Sequence, residues 1–106
     1  MIINHNSPLT SERCNQIRDS KLAEGFNWGG FIFQIDPKSL SLISGRTLRI
    51  ITARIQNELV NDVQWMTKDN SIYTFTPDEF VSFAEAVDDH VDGIYKESWI
   101  MKGRGL

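Results

Sequence analysis

The fold is decided by residues 63–80, which read VQWMTKDNSIYTFTPDEF. Val63, Trp65 and Thr67 alternate with polar Gln64 before Lys68-Asp69-Asn70. After it, Ile72 and Thr74 alternate with Tyr73 and Phe75, and runs this rich in β-branched and aromatic residues are typical of the two strands of a hairpin. Asp and Asn tolerate the left-handed backbone that a tight turn requires. Thr76-Pro77 then matches a helix N-cap followed by the first helical residue, and Asp78-Glu79 supplies a capping box with acidic charge in the first turn. This stretch therefore predicts a strand, a turn, a second strand and the start of a helix.

A similar arrangement occurs earlier in the chain, at residues 26–37. Gly29-Gly30 lies between two aromatic-rich runs and predicts a second hairpin, because glycine adopts the positive φ of a two-residue turn. Phe31, Phe33 and Ile35 share one face of this hairpin and are predicted to be core. Asp36-Pro37 repeats the helix-start signal of Thr76-Pro77.

Three helices complete the predicted elements. The first runs from Thr10 or Ser11 to about Glu24, has few apolar residues and is expected to pack peripherally. The second runs from Pro37 to about Val60-Asn61 and the third from Pro77 to about Lys102. The second helix has an apolar stripe formed by Leu40, Ile43, Thr47, Ile51, Ile55 and Leu59, which Leu48 and Ile50 widen. The third has a stripe formed by Phe80, Ala84, Val87, Val91 and Ile94, flanked by Phe83 and Tyr95, which Trp99 and Ile100 extend.

These elements predict an α+β fold. Two β-hairpins form a small antiparallel sheet packed against two long helices, with a short N-terminal helix in addition. Residues 1–9 are interpreted as an N-terminal arm and residues 10–106 as a single α+β domain.

Composition excludes several functional classes. The chain has 106 residues, 41% of them hydrophobic and 24% charged, which is ordinary for a soluble globular protein. Its net charge of −3 disfavours a general nucleic-acid binder. One cysteine allows no intrachain disulfide, and no signal peptide or membrane-length apolar run is evident. We expect a cytosolic protein that does not bind membranes.

The candidates for catalysis or metal binding are weak. Glu85, Asp88, Asp89 and Asp92 recur at helical spacing, but a solvated acidic face with Asp92 paired to Lys96 explains them better than a shared cation. His90 has no nucleophile in a recognised turn, and Cys14 is best interpreted as a small buried residue rather than a reactive thiol. The sequence therefore predicts no enzyme, no metal site and no cofactor.

Candidate partner-binding residues fall into two groups. Trp65 is assigned to the core, whereas Trp28 and Trp99 are as compatible with interface anchors as with core positions. The second helix carries Arg46, Arg49 and Arg54 and no acid up to that point, and the third carries acids that include Asp88 and Asp92. Neighbouring helices with weakly attracting faces would explain this asymmetry. Complementary patches could instead orient a partner protein or a second copy of the chain, and the arginines could contact phosphates.

Several segments together resemble one family, the domain-of-unknown-function 4376 family of phage and prophage proteins. The resemblance covers about residues 13–102. The matching segments are Arg18-Asp19, Lys21-Leu22, Gly25-Phe26, Trp28, Phe33-Gln34-Ile35-Asp36, Trp65 to Asn70, Phe80, Phe83, Ala86-Val87, His90 and Ser98-Trp99 to Lys102. The second helix departs from the alanine-rich stretch of the family, with isoleucines and arginines in its place.

Members of this family are often encoded near tail-fibre genes, so the resemblance implies a small phage tail-associated protein that acts by protein–protein binding. It would be a tail-fibre assembly chaperone or a minor virion tail or adaptor component. It would act in the host cytoplasm during assembly and, if retained, in the virion tail. Two alternatives remain: a host-directed or regulatory protein that contacts nucleic acid through Arg46, Arg49 and Arg54, and a small enzyme using His90 and the acidic face.

Overall fold

The computed structural model describes residues 10–104. It is an α+β fold of three helices and two small antiparallel two-stranded sheets. The elements in chain order are α1 Ser11–Ala23, β1 Phe26–Trp28, β2 Phe31–Phe33, α2 Pro37–Ile55, β3 Val63–Met66, β4 Ile72–Phe75 and α3 Pro77–Arg104. The arm predicted for residues 1–9 lies outside the described residues. Within residues 10–104, no helix combines the length and the apolar character needed to span a membrane.

The hairpin of β3 and β4 forms as the sequence predicts. Val63 pairs with Phe75 and Trp65 with Tyr73. The turn is closed by the N–H of Thr67, which donates to the carbonyl of Ser71 at 2.8 Å. Asn70 has φ of 67°, the left-handed conformation expected at this position of a three-residue hairpin loop. The register and the turn geometry therefore agree with the pattern of the local sequence.

The hairpin of β1 and β2 turns at Gly29-Gly30, where φ is 59° and 83°. The single sheet predicted for the two hairpins is wrong, because each hairpin forms its own two-stranded sheet. One backbone hydrogen bond joins them, from the Lys68 N–H to the Ile32 carbonyl at 2.7 Å. Tyr73 of β4 packs edge-on against Phe33 of β2, with ring centroids 5.7 Å apart. The hairpins therefore meet through aromatic side chains rather than through a continuous ladder.

The core is an aromatic cluster between the hairpins and the first turns of α3. The Phe83 ring centroid lies 4.9 Å from that of Phe33 and 4.8 Å from that of Phe75. Phe80 packs edge-on against Phe75 at 5.2 Å, and Trp65 lies against Phe80. All four phenylalanines are fully buried. The prediction that Phe31 is core is wrong. Phe31 is 38% exposed, because it lies next to the turn, and within β2 only Phe33 is buried.

The second helix is shorter than predicted, and the side that it buries differs from the predicted one. It ends at Ile55 rather than near Val60-Asn61, because Asn57 adopts φ of 58° and the chain leaves the helix there. Ile43 and Ile50 are its buried residues, so the predicted stripe through Ile51, Ile55 and Leu59 is wrong over its second half. Those three side chains are exposed, because the helix turns Ile43 and Ile50, and not Ile51 and Ile55, towards the core.

The first helix packs along the C-terminal half of α3. Thr10 caps it by accepting the Arg13 N–H at 3.0 Å, and Cys14 is its buried residue. Lys21 forms an ion pair with Glu97 at 2.7 Å, and the Arg18 guanidinium lies over the Tyr95 ring at 5.1 Å. The first helix is therefore held against α3 by polar contacts in addition to its one buried side chain, Cys14.

The last turns of α3 also differ from the prediction. Ser98 is fully buried, whereas Trp99 and Ile100, which were predicted to extend the apolar stripe, are exposed. The helix continues through Gly103 to Arg104. The reason is rotation: the buried residues Phe83, Val87, Ile94 and Ser98 keep spacings of four, seven and four, and this spacing turns Trp99 outward.

A matched pair of glycine substitutions tests the contact between the end of α1 and β2. Gly25 and Gly30 have nearly equal φ, 81° and 83°, so alanine at either position incurs a left-handed penalty of about 1–2 kcal/mol. A Cβ at Gly25 would lie 2.7 Å from Ile32 Cγ2 and 2.8 Å from the Phe33 carbonyl oxygen, whereas one at Gly30 would meet nothing within 4 Å. We expect Gly25→Ala to lower the free energy of unfolding by roughly 1–3 kcal/mol more than Gly30→Ala, measured by urea denaturation. Equal losses would contradict this close approach.

Candidate protein-interaction surface

The largest group of exposed apolar side chains lies on α2 and the segment after it. Leu48 is 64% exposed, Ile51 43%, Ile55 76% and Leu59 90%. A helix turns about 100° per residue, so Leu48, Ile51 and Ile55 lie within about 60° of one another on the same side of α2. Large apolar residues that share one exposed side are typical of interaction sites. We name these three residues, together with the exposed Leu59 in the segment after the helix, the α2 apolar side.

Basic residues occupy a different part of the exposed surface of α2. Arg46 and Arg49 are exposed and, among residues 10–104, take part in no ion pair. Arg54, which the sequence grouped with them, pairs with Asp78 at the start of α3. The structure therefore separates Arg54 from the other two. The Arg54–Asp78 pair is also the kind of contact expected from two neighbouring helices of opposite charge.

A groove of about 470 Å³ runs between the second half of α2 and residues 58–63. Arg46 and Arg49 lie on its α2 wall, and Glu58 and Asp62 are on the opposite wall. Leu48 and Leu59 also line it, which connects the groove to the α2 apolar side. Since both signs of charge face this groove, its walls do not form a uniformly basic surface.

Trp28 is engaged inside the domain. Its indole N–H donates to Oε2 of Glu79 at 3.2 Å, and the Tyr73 hydroxyl donates to the same oxygen at 2.6 Å. Its ring packs edge-on against Phe83 at 5.6 Å. One carboxylate thus joins β1, β4 and α3, and Trp28 is half-buried within the domain, so its role as an interface anchor stays a prediction.

This arrangement alters the predicted capping box. Thr76 Oγ1 accepts the Glu79 N–H at 3.1 Å, so the first half of the box is formed. The Glu79 side chain does not return to Thr76, because its carboxylate binds Trp28 and Tyr73. The hydrogen bond from Tyr73 to Glu79 raises the pKa of that hydroxyl above its usual value, since it favours the protonated phenol.

Trp99 lies far along α3 and is 56% exposed. Its only aromatic neighbour among the described residues is Tyr95, at 6.4 Å between centroids. Trp99 is therefore exposed, and its role as an interface anchor stays a prediction; it belongs to a different part of the molecule from α2.

The acidic face of α3 is solvated. Asp88 is exposed, and Asp92 forms the predicted ion pair with Lys96 at 2.8 Å. Within residues 10–104, no three His, Cys, Asp or Glu side chains are grouped so that they could hold a metal ion. His90 is exposed and stacks obliquely on Phe26 at 5.1 Å, beside a shallow cavity that also contains Asp89. Cys14 is fully buried, which agrees with its interpretation as a packing residue.

Sequence reasoning assigned the residues of the α2 apolar side to the core and did not predict that they are exposed. The pattern of α2 contains two overlapping stripes, one through Leu40, Ile43, Thr47 and Ile50 and one through Leu48, Ile51 and Ile55. The available signal was the number of apolar positions on α2, which is larger than a single contact with the core can cover. The sequence does not indicate which stripe faces the core, because that depends on where α3 lies.

Together these features define a small α+β domain in which two hairpins pack on one long helix and a second helix presents apolar and basic residues to solvent. The chain belongs to the family described as Domain of unknown function (DUF4376), which matches residues 8–104. Comparison with curated proteins and with solved structures found no match in either set.

Replacing Glu79 tests whether its carboxylate supports the fold. We expect Glu79→Ala to lower the free energy of unfolding by about 1–3 kcal/mol, because the half-buried Trp28 indole loses its acceptor. Glu79→Gln retains one acceptor and should lose less. Urea denaturation followed by tryptophan fluorescence measures both. An alanine variant as stable as the parent would show that these hydrogen bonds contribute nothing to stability.

The raised pKa of Tyr73 predicts a pH dependence. Because the unfolded chain releases the phenolic proton near pH 10 and the folded chain only at higher pH, the stabilisation is complete below about pH 10 and is lost as the pH rises through the folded pKa. Lys96, whose pKa is raised by its hydrogen bond to Asp92, titrates in the same direction. We expect Tyr73→Phe to show a smaller loss of stability than the parent over this range in urea denaturation. Parallel curves for the two proteins would contradict the assignment.

Proposed function

We propose that this protein acts by binding another protein, without catalysis and without a cofactor. The single observation that supports this best is the α2 apolar side, because Leu48, Ile55 and Leu59 are all more than half exposed. Large apolar side chains this exposed add nothing to the core, and clusters of them are typical of interaction sites. Coverage by a partner would remove this apolar surface from water.

We further propose that the partner is a phage tail or tail-fibre protein. Support comes from the resemblance to a family of phage and prophage proteins often encoded near tail-fibre genes. In this role the protein is either a tail-fibre assembly chaperone, which covers a fibre surface in the host cytoplasm until assembly, or a minor tail or adaptor component that stays in the virion. The two versions differ in whether the protein remains in the finished particle.

The nucleic-acid alternative has weaker support than protein binding. It requires Arg46, Arg49 and Arg54 to act as one phosphate-binding face. Arg54 pairs with Asp78, and Glu58 and Asp62 face the other two arginines across the groove. Acidic groups near a phosphate site oppose binding of a polyanion.

Co-purification from cells that express the tail gene cluster tests the proposed function. We expect the tagged protein to retain a tail or tail-fibre protein, and Leu48→Ser/Ile55→Ser to lose it. Ile72→Ser is the matched control, because Ile72 is an exposed isoleucine on the second hairpin and not on α2. Mass spectrometry of purified virions then separates the two versions, since a chaperone should be absent from the particle and a structural component present.

Two outcomes would contradict the proposal. Absence of any tail component from the parent protein's complexes, in lysate and in virions, would exclude both versions. A mobility shift of duplex DNA that weakens steeply with salt, and that Arg46→Gln/Arg49→Gln abolishes, would favour the nucleic-acid alternative instead.

A further inference from the structure

We propose that, when no partner protein is bound, a second copy of this chain covers the α2 apolar side. The two copies pack α2 against α2 in opposite directions about a two-fold axis. This inference rests on the proposed function in that both use the same surface. It adds the regulation of that surface, because the dimer must dissociate before another protein can bind there.

The side of α2 that forms this contact carries no charge. Exposed, uncharged side chains occupy about 80° of the circumference of the helix; they are Ser41, Ser44, Leu48, Ile51 and Ile55. The arginines of α2 lie about 100–180° around the helix from Leu48 and Ile55. Two copies can therefore pack through this side without bringing like charges together or burying an unpaired charge, both of which oppose association.

The sizes of these side chains suit antiparallel pairing. The large side chains lie in the second half of α2, and the small ones, Ser41 and Ser44, lie in the first half. If the two-fold axis passes between positions 49 and 50, Leu48 faces Ile51 of the second copy and Ile55 faces Ser44 of the second copy. Each Ile55 then fills the space above a serine, as side-chain ridges fill grooves between packed helices. Parallel pairing in register would instead place serine on serine and leave a gap at that end.

The exposed area is enough for a weak dimer. The four side chains of the α2 apolar side are between 43% and 90% exposed. Together they present roughly 500 Å² of surface, so a symmetric contact buries on the order of 1,000 Å² in total, which is near the lower limit for a specific interface. We expect a dissociation constant in the micromolar range, so a partner with a larger contact can displace the second copy.

Two other groups of exposed apolar side chains fit α2 less well. Trp99 and Ile100 near the end of α3, and Met66 and Ile72 on the second hairpin, are each about half exposed. Packing α2 of one copy on either group of another copy is heterologous, so it leaves a free α2 at one end and continues into an open assembly. Packing α2 on α2 is isologous and closes with two copies, which leaves neither α2 apolar side exposed.

Analytical ultracentrifugation of the full-length protein between about 1 and 200 μM tests the dimer. We expect the parent to change from monomer to dimer over this range. Leu48→Ser should raise the dissociation constant at least about tenfold, because it removes a central apolar contact from both copies. Leu42→Ser is the matched control and should leave the constant unchanged. Leu42 is also an exposed leucine of α2, but it lies about 120–180° around the helix from Leu48, Ile51 and Ile55.

Disulfide trapping tests the antiparallel arrangement. Ser44→Cys/Ile55→Cys places thiols that face each other between the copies, so mild oxidation should link two chains covalently. Ser44→Cys alone and Ile55→Cys alone should form no link, because about 16 Å of helix separates each thiol from its equivalent in the second copy. The same distance prevents a link within one chain. The buried native Cys14 is present in every variant, so the parent serves as the control for its oxidation.

Several results would overturn the proposal. These are a parent that stays monomeric up to about 200 μM, equal effects of Leu48→Ser and Leu42→Ser, and no covalent dimer of the double cysteine variant. A covalent dimer of Ser44→Cys alone would replace the antiparallel arrangement by a parallel one. Growth of the parent into species larger than a dimer would assign the surface to heterologous packing.

The two proposals fail separately. Co-purification of a tail protein with a parent that stays monomeric would keep the proposed function and reject the dimer. A dimer with the expected variant effects, but no tail component in complexes or virions, would keep the dimer and reject the tail-associated role. Recovery of the tail protein with the covalent dimer of Ser44→Cys/Ile55→Cys would mean that the copies need not separate, which would overturn the regulation.

Discussion

Aromatic packing between the two hairpins and the first turns of α3 is the interaction on which the rest of the fold depends. A two-stranded hairpin is at best marginally stable alone, and this protein contains two that share one backbone hydrogen bond. Phe33, Phe75 and Phe83 come from β2, β4 and α3 and bury their rings against one another. Because these rings hold the hairpins to α3, they also fix where each connecting segment must leave the core.

Glu79 adds specificity to this packing. A carboxylate placed by the first turn of α3 accepts hydrogen bonds from Trp28 and Tyr73, so it relates the two hairpins through a directional contact that apolar rings alone do not provide. Lys68 acts similarly at the other end of the second hairpin, where its ammonium donates to the Ala23 carbonyl and its N–H to that of Ile32. These polar contacts join α1 and the hairpins at defined positions.

The position of α2 follows from the same constraint and leads to the functional proposals. Its core-facing side contains the buried Ile43 and Ile50 and the partly buried Leu40, which pack against the core cluster. The remaining apolar residues and the arginines therefore face solvent. The candidate surface thus consists of the part of an apolar, basic helix that its own domain does not cover.

The sequence by itself determined the local elements: both turns, the start of every helix and the pairing within each hairpin. These depend on residues close together in the chain, such as Asn70 with its positive φ and Gly29-Gly30. Only the tertiary structure decided that the hairpins form separate sheets, that Glu79 binds Trp28 rather than completing its capping box, and which stripe of α2 is buried. Each of these depends on contacts between residues distant in sequence, and local patterns allow more than one such contact with similar local energy.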